Sequence, residues 1–71
     1  MTREEHLRWS KERALKYLNE GDLSSAAISM CSDLNKHEDF RKISHLMLPL
    51  GLMYAKDYDG PSLRRWIEGF N

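Results

Sequence analysis

Apolar residues recur along this chain every three or four positions, which places them on one face of an α-helix. The alternation that half-buried strands need is missing: Val is absent, and Ile occurs only at positions 28, 43 and 67. Turn-forming residues at Gly21 and Gly60-Pro61 separate the helical segments. The pattern predicts an all-α fold, with residues 1–71 forming one small four-helix domain.

The first two segments predict an antiparallel helical hairpin. The first helix should run from about Arg3 to Asn19, with Thr2 and Glu5 at capping-box spacing. Its apolar face consists of Leu7, Ala14 and Leu18, flanked by Leu15 and Tyr17. The second helix should run from about Leu23 to Lys36, with Asp22 as its N-cap. Its apolar face consists of Leu23, Ala27, Met30 and Leu34, bordered by Ala26 and Cys31. The short connection at Gly21 requires the chain to reverse.

The third predicted helix begins near Asp39 or Phe40 and carries apolar residues on two sides. One stripe, expected to face the bundle, consists of Ile43, Met47, Leu50 and Tyr54. The opposite stripe consists of Leu48, Leu52 and Ala55. Pro49 lacks a backbone N–H, so we expect it to kink or split this helix before Leu50.

A short fourth helix should follow the turn at residues 58–62, with Pro61 at its first position. Its apolar face consists of Leu63, Trp66, Ile67 and Phe70. A helix of this length is unstable alone, so that face should be docked onto the other helices.

Sequence motifs for catalysis are missing. Neither a glycine-rich phosphate loop nor a GxSxG nucleophile elbow occurs. His6, His37 and His45 fit no zinc spacing, and we interpret them as helix-terminal or surface residues. Cys31 borders an apolar stripe and should be buried and inert. We therefore expect no enzyme activity, no catalytic, metal or cofactor-binding residues, and no cofactor.

The balance of charges limits the kinds of partner that the sequence favours. The chain has 11 Lys plus Arg and 11 Asp plus Glu, so its net charge is zero with His neutral. This balance argues against a dedicated nucleic-acid binder. A nucleic-acid-associated regulatory protein is kept as the alternative, with phosphate contacts from Arg3, Arg8, Arg41, Arg64 and Arg65.

The chain also predicts a cytoplasmic protein without a membrane partner. Three of its first five residues, Arg3, Glu4 and Glu5, are charged, and no apolar core follows them, unlike in a signal peptide. The longest mainly apolar run extends only from Leu46 to Ala55, against the ~20 residues that span a bilayer. A single cysteine gives no indication of an oxidising compartment.

Four apolar residues lie off the main stripes and are candidates for binding another protein: Trp9, Ile28, Leu48 and Leu52. Trp9 points away from the apolar face of the first helix, and tryptophan is enriched at binding hot spots. The alternative is that Trp9 is covered by the C-terminal segment or by the third helix. We expect a symmetric homodimer through the third helix or, failing that, a docking site for a host protein on the same surface.

Two resemblances add context. Residues 14–23, ALKYLNEGDL, followed by Ala26-Ala27, resemble the hairpin of a tetratricopeptide repeat. A solenoid needs at least three repeats, for which the chain is too short.

The whole chain resembles a family of short accessory proteins of tailed bacteriophages. The matching segments are REEHL at 3–7, Trp9, Lys11, RAL at 13–15, Gly21-Asp22, Ser29-Met30, SDL at 32–34, Lys36-His37 and IEGFN at 67–71. The family has no assigned activity, so the resemblance implies a setting: a phage or prophage product acting on a host protein in the bacterial cytoplasm.

Overall fold

Four α-helices make up the computed structural model, which describes residues 2–71: α1 (Arg3–Asn19), α2 (Leu23–Leu34), α3 (Arg41–Lys56) and α4 (Gly60–Glu68). One 3₁₀ turn, Glu38–Phe40, precedes α3. No strand occurs among these residues, so the predicted all-α four-helix fold is confirmed. The prediction placed the end of α2 too late. The backbone N–H groups of Lys36 and His37 donate three residues back, to Asp33 and Leu34, and this tighter turn ends the helix.

The core lies where α2 packs against both α1 and α3, with α4 packed across all three. On α2, Ala27, Met30 and Leu34 are buried as predicted, while Leu23 is only partly buried. The whole predicted face of α4 is buried, from Leu63 to Phe70. The expectation that α4 docks is therefore confirmed. Pro61 is its second residue, one position later than predicted, because Gly60 begins the helix.

The buried line of α1 differs from the predicted one. It consists of His6, Ser10, Ala14 and Leu18, while Leu7 is only partly buried. The interpretation of His6 as a helix-terminal or surface residue is therefore wrong. His6 lies under the end of α2, where its Nε2 donates to the backbone carbonyl of Asp33 at 2.6 Å. The Asp33 carbonyl belongs to the last turn of α2, where carbonyl groups have no hydrogen-bond donor within the helix.

The helix α3 is continuous through Pro49, so the predicted split does not occur. Pro49 is exposed, and the hydrogen bond that it removes therefore lies on the solvent side of the helix. The predicted packing face is confirmed only in part: Met47, Leu50 and Tyr54 pack against the core, but the centre of the buried face is different. The buried residues are the small ones, Ser44, Gly51 and Ala55, whereas Ile43 is 39% exposed. The other members of that stripe, Met47, Leu50 and Tyr54, lie partly buried at its edge.

Close packing between α3 and α4 explains why small residues face inward. A Cβ atom on Gly51 would lie 2.6 Å from the indole ring of Trp66, so that position accepts only glycine without movement. The indole in turn packs edge-on against Phe70, with ring centroids 5.1 Å apart. Trp66 fills the space that larger α3 side chains would need, and these side chains lie on either flank of the helix.

Two turns of the same type connect α1 to α2 and α3 to α4. In each, a left-handed residue follows the helix: Gly21 with φ of 82° and Tyr58 with φ of 55°. The next residue, Asp22 or Asp59, donates its N–H to a tyrosine carbonyl in the preceding helix at 3.0 Å. These bonds define the Schellman motif. Each aspartate then caps the following helix, its carboxylate accepting from a serine N–H at 3.1 Å.

Candidate interaction surface

Between Lys42 and Lys56, the solvent side of α3 carries no Asp, Glu, Lys or Arg side chain, and we call this surface the outer face of α3. It consists of the exposed residues Ile43, His45, Leu46, Pro49, Leu52 and Met53. Leu46 is 70% exposed and Met53 is 49% exposed. No Asp, Glu, Lys or Arg occurs between Ile43 and Ala55. Contiguous apolar surface of this kind is unusual on a monomer and marks interaction sites.

A cavity of about 270 Å³ borders this face on the side of α4. Ile43 and Met47 line it from α3, while Trp66 and Phe70 line it from α4. Arg65 and Asn71 add polar groups. The cavity is therefore a mainly apolar recess with hydrogen-bonding groups in its lining. It opens beside the first turns of α3.

Three of the four predicted interaction residues lie near the other flank of α3. Ile28, 54% exposed, and Leu48 line one groove of about 180 Å³ between α2 and α3. Leu48, which was predicted to lie off the packed stripes, is partly buried against the core, so that part of the prediction is wrong. Leu52, one turn further along α3, is 38% exposed.

Trp9 lies apart from this groove, partly buried at the end of the bundle where α1 meets the end of α2. The guanidinium carbon of Arg13 lies 4.9 Å from its ring centroid, and the Nζ of Lys36 lies 5.5 Å away. His6 packs against it with ring centroids 5.5 Å apart. The aromatic and cation–π contacts of Trp9 thus come from α1 and the segment after α2. The alternative prediction had named the C-terminal segment or the third helix as its cover.

Next to Trp9, a buried carboxylate holds α1 to α2. Asp33 is 2% exposed, and its carboxylate oxygens lie 3.3 Å from Arg13 Nε and 3.4 Å from Lys36 Nζ. Ser29 Oγ donates to it at 3.4 Å. Sequence patterns give no indication of this cluster because its polar residues interrupt the apolar stripes. The polar groups of this cluster bind one another across α1 and α2, so their role is to hold the two helices together.

The side chains of Cys31 and Ser10, which could act as nucleophiles elsewhere, are buried in this fold. Burial raises the pKa of the Cys31 thiol to about 11, so the thiol stays protonated and unreactive at neutral pH. Ser10 Oγ donates to the His6 carbonyl at 2.9 Å. Among residues 2–71, His, Cys, Asp and Glu form no group that could hold a metal ion. None of the helices described is long and apolar enough to cross a membrane.

The five arginines of the nucleic-acid alternative do not form one patch. Arg3 donates to the Asn71 carbonyl at 2.7 Å and lies 4.5 Å from the Phe40 centroid, at one end of α1. Arg64 donates to Asn19 at the other end of α1, ~24 Å away by helix rise. Arg41 and Arg65 donate to Asn35 and Ser62. Only Arg8, exposed on α1, has no such bond among the residues described.

Comparison of the chain with protein-family models, curated proteins and solved structures found no match. Fold and surface geometry therefore carry the functional argument. Leu46 and Met53 were not among the predicted candidates. The small residues Ser44, Gly51 and Ala55 on one side of α3 were the sequence feature that could have indicated them. When a helix packs through its small residues, the side chains on its opposite side are exposed.

Proposed function

We propose that this protein is a non-catalytic protein-binding module and that the outer face of α3 is its binding surface. The exposure of Leu46, at 70%, on a helix face without charge carries this proposal. The core does not need these side chains, because Ser44, Gly51 and Ala55 already fill the buried line.

The rigidity of the face supports a recognition role. Leu46, Pro49 and Met53 are held on one regular helix, so their relative positions are fixed before a partner binds. A preformed surface loses little conformational entropy on binding. The partner would place an apolar surface against α3, as in the packing of one helix against another.

The resemblance to accessory proteins of tailed bacteriophages supports a setting for this activity. In that setting the protein is a phage or prophage product that modulates a host process by occupying the surface of a protein in the bacterial cytoplasm.

A photo-crosslinking amino acid at position 46 tests the proposal in bacterial cells that express the protein. We expect a discrete crosslinked species that Met53→Lys abolishes, because a lysine would place a charge in the middle of the apolar contact. The matched control carries the crosslinker at Glu12, which is exposed on α1.

Equal crosslinking from positions 46 and 12, or a species unaffected by Met53→Lys, would contradict the proposed surface. Circular dichroism of each variant checks that the fold is unchanged. Because Met53 is half exposed, its replacement should leave the helices intact.

A further inference from the structure

Two opposite charges stand at equal distances from the centre of the outer face of α3. The uncharged stretch lies between Lys42 and Lys56, and Asp57, the C-cap residue of α3, follows Lys56. Lys42 and Asp57 are both exposed. Neither takes part in an ion pair among residues 2–71. Together with Leu46, Pro49 and Met53 they are spaced by four, three, four and four residues, which keeps them near one side of α3, as in a helix–helix seam.

This arrangement is complementary to itself when a second copy runs in the opposite direction. With a two-fold axis between Pro49 and Leu50, each residue meets the one equally far beyond the axis. Lys42 of one copy then meets Asp57 of the other, and Leu46 meets Met53. A parallel copy would instead place lysine against lysine and aspartate against aspartate.

We propose that the partner of the outer face of α3 is a second copy of this chain, packed antiparallel about that axis. This inference rests on the proposed function, since it names the occupant of the same surface. The contact is isologous and therefore closes as a dimer.

Tyr58 provides an independent observation in favour of this arrangement. It is 86% exposed and held at a φ of 55°, a conformation that disfavours residues with a Cβ atom. The turn needs a left-handed residue at this position, and glycine would adopt that conformation without strain, so an exposed tyrosine here favours a contact made by its side chain.

The symmetry also gives Tyr58 a binding site. The two-fold axis leaves both copies of α4 on the same side of the α3 pair. The turn at Tyr58 therefore lies over the first turns of the other α3, beside Ile43. The cavity of about 270 Å³ opens there, and Arg65 and Asn71 in its lining can bind the phenol oxygen.

The size of the contact sets the concentration at which the dimer forms. The seam from Lys42 to Asp57 is ~22 Å long and one helix is ~10 Å wide. A surface of this size is smaller than the ~800 Å² per partner of a standard stable interface. We therefore expect a weak dimer that is populated in the range of tens to hundreds of micromolar.

Sedimentation equilibrium at low salt, over that range, tests the register through a charge exchange. Lys42→Asp places two carboxylates together at both ends of the seam and should weaken the dimer about tenfold. The double variant Lys42→Asp/Asp57→Lys restores opposite charges and should return the dissociation constant to within about twofold of the parent value. Low salt is needed because exposed charges are screened.

Tyr58→Gly separates association from folding. It should weaken the dimer about tenfold, yet raise the unfolding temperature of the dilute monomer by relieving the left-handed strain. A merely structural role for Tyr58 would leave association unchanged. In a further test, oxidation of Leu46→Cys/Met53→Cys should give a covalent dimer that neither single variant gives.

A parent chain that remains an 8.4 kDa monomer throughout the concentration range overturns the inference. So does a double charge exchange that fails to restore association. The crosslinker at position 46 then separates the two proposals. If it gives a product whose mass differs from twice the chain mass, and Met53→Lys abolishes that product, the proposed function stands and only the identification of the partner as a second copy is wrong.

Discussion

The turn between α1 and α2 and the turn between α3 and α4 have the same backbone hydrogen bonds but different left-handed residues. Gly21 occupies that position in the first turn and Tyr58 in the second. The following aspartates have nearly identical backbone angles, φ −97° and ψ 78° for Asp22 and φ −92° and ψ 78° for Asp59. The Schellman bonds and the aspartate cap therefore suffice to form this turn without glycine.

The two hairpins differ in how their helices approach each other. In the first, Ala14 is fully buried on α1; at the same distance before the second turn stands Gly51. At the position that corresponds to Trp66 on α4, α2 has the small residue Ser29. A methyl group at position 51 would meet the Trp66 ring, whereas the first hairpin accommodates the methyl group of Ala14. The second hairpin has a larger aromatic contact, and its first helix is left with apolar residues on the solvent side.

Replacing Trp66 should have the largest effect. Trp66→Ala removes a side chain that is 7% exposed and should lower the free energy of unfolding by about 3–5 kcal/mol. The matched change Ser29→Ala in the first hairpin removes a small side chain and its hydrogen bond to Asp33, and should cost about 0.5–1.5 kcal/mol. Urea denaturation followed by circular dichroism measures both. Similar losses would mean that the hairpins do not differ in their packing.

A methyl group at position 51 tests the close approach directly. Gly51→Ala should destabilise the protein by about 1–3 kcal/mol, because the added Cβ atom meets the Trp66 ring. Gly60→Ala is the control: a Cβ atom there has no neighbour within 4 Å, and the change should stay within about 0.5 kcal/mol. A neutral Gly51→Ala would show that α3 and α4 can separate at no cost.

Exchanging the left-handed residues makes each turn resemble the other. Gly21→Ala should cost about 1–2 kcal/mol from backbone conformation alone, since the new methyl group meets no atom within 4 Å. Tyr58→Gly should stabilise the dilute monomer by about 0.5 kcal/mol, because the strain relieved exceeds the entropy that glycine adds to the unfolded chain. Thermal unfolding monitors both. Stabilisation by both substitutions would refute the common turn geometry.

Acid should lower the stability of the second turn by protonating Asp59, and this is the smallest of the expected effects. Hydrogen bonds from the side chain and backbone N–H of Ser62 hold the pKa of Asp59 below its ordinary value of 3.8. The folded state therefore binds this proton less readily than the unfolded state. The resulting stabilisation is complete above the unfolded pKa and is lost as the pH falls through the folded one.

Asp59→Asn keeps a capping oxygen and removes the titration. The unfolding temperature of this variant should fall less steeply than that of the parent between pH 5 and pH 2. Identical pH profiles would show that the carboxylate of Asp59 adds nothing specific to the second turn.

The sequence was sufficient for the helices whose apolar residues form one stripe between recognisable caps. On α2 the stripe and the N-cap Asp22 agree, and on α4 the stripe follows a predicted turn, so both elements were predicted with most of their buried faces. The buried face of α3 was not predictable in the same way. Two apolar stripes compete there, and Gly51 faces inward only because Trp66 comes to lie against it.

The same limit applies to polar residues in the core and to the candidate surface. His6 is buried because its ring meets the Asp33 carbonyl, 27 residues away in the chain, and no local pattern reports such a contact. Leu52 and Ile28 were predicted as exposed from their position off the stripes. Leu46 and Met53 could be placed outward only once the inward side of α3 was known.

The two tryptophans give the molecule two optical reporters in different environments. Trp66 is enclosed by apolar groups, whereas Trp9 is partly open to water between two cationic side chains. Their fluorescence should therefore differ in wavelength and in access to a soluble quencher. Single-tryptophan variants would allow the docking of α4 and the pairing of α1 with α2 to be timed separately as the chain folds.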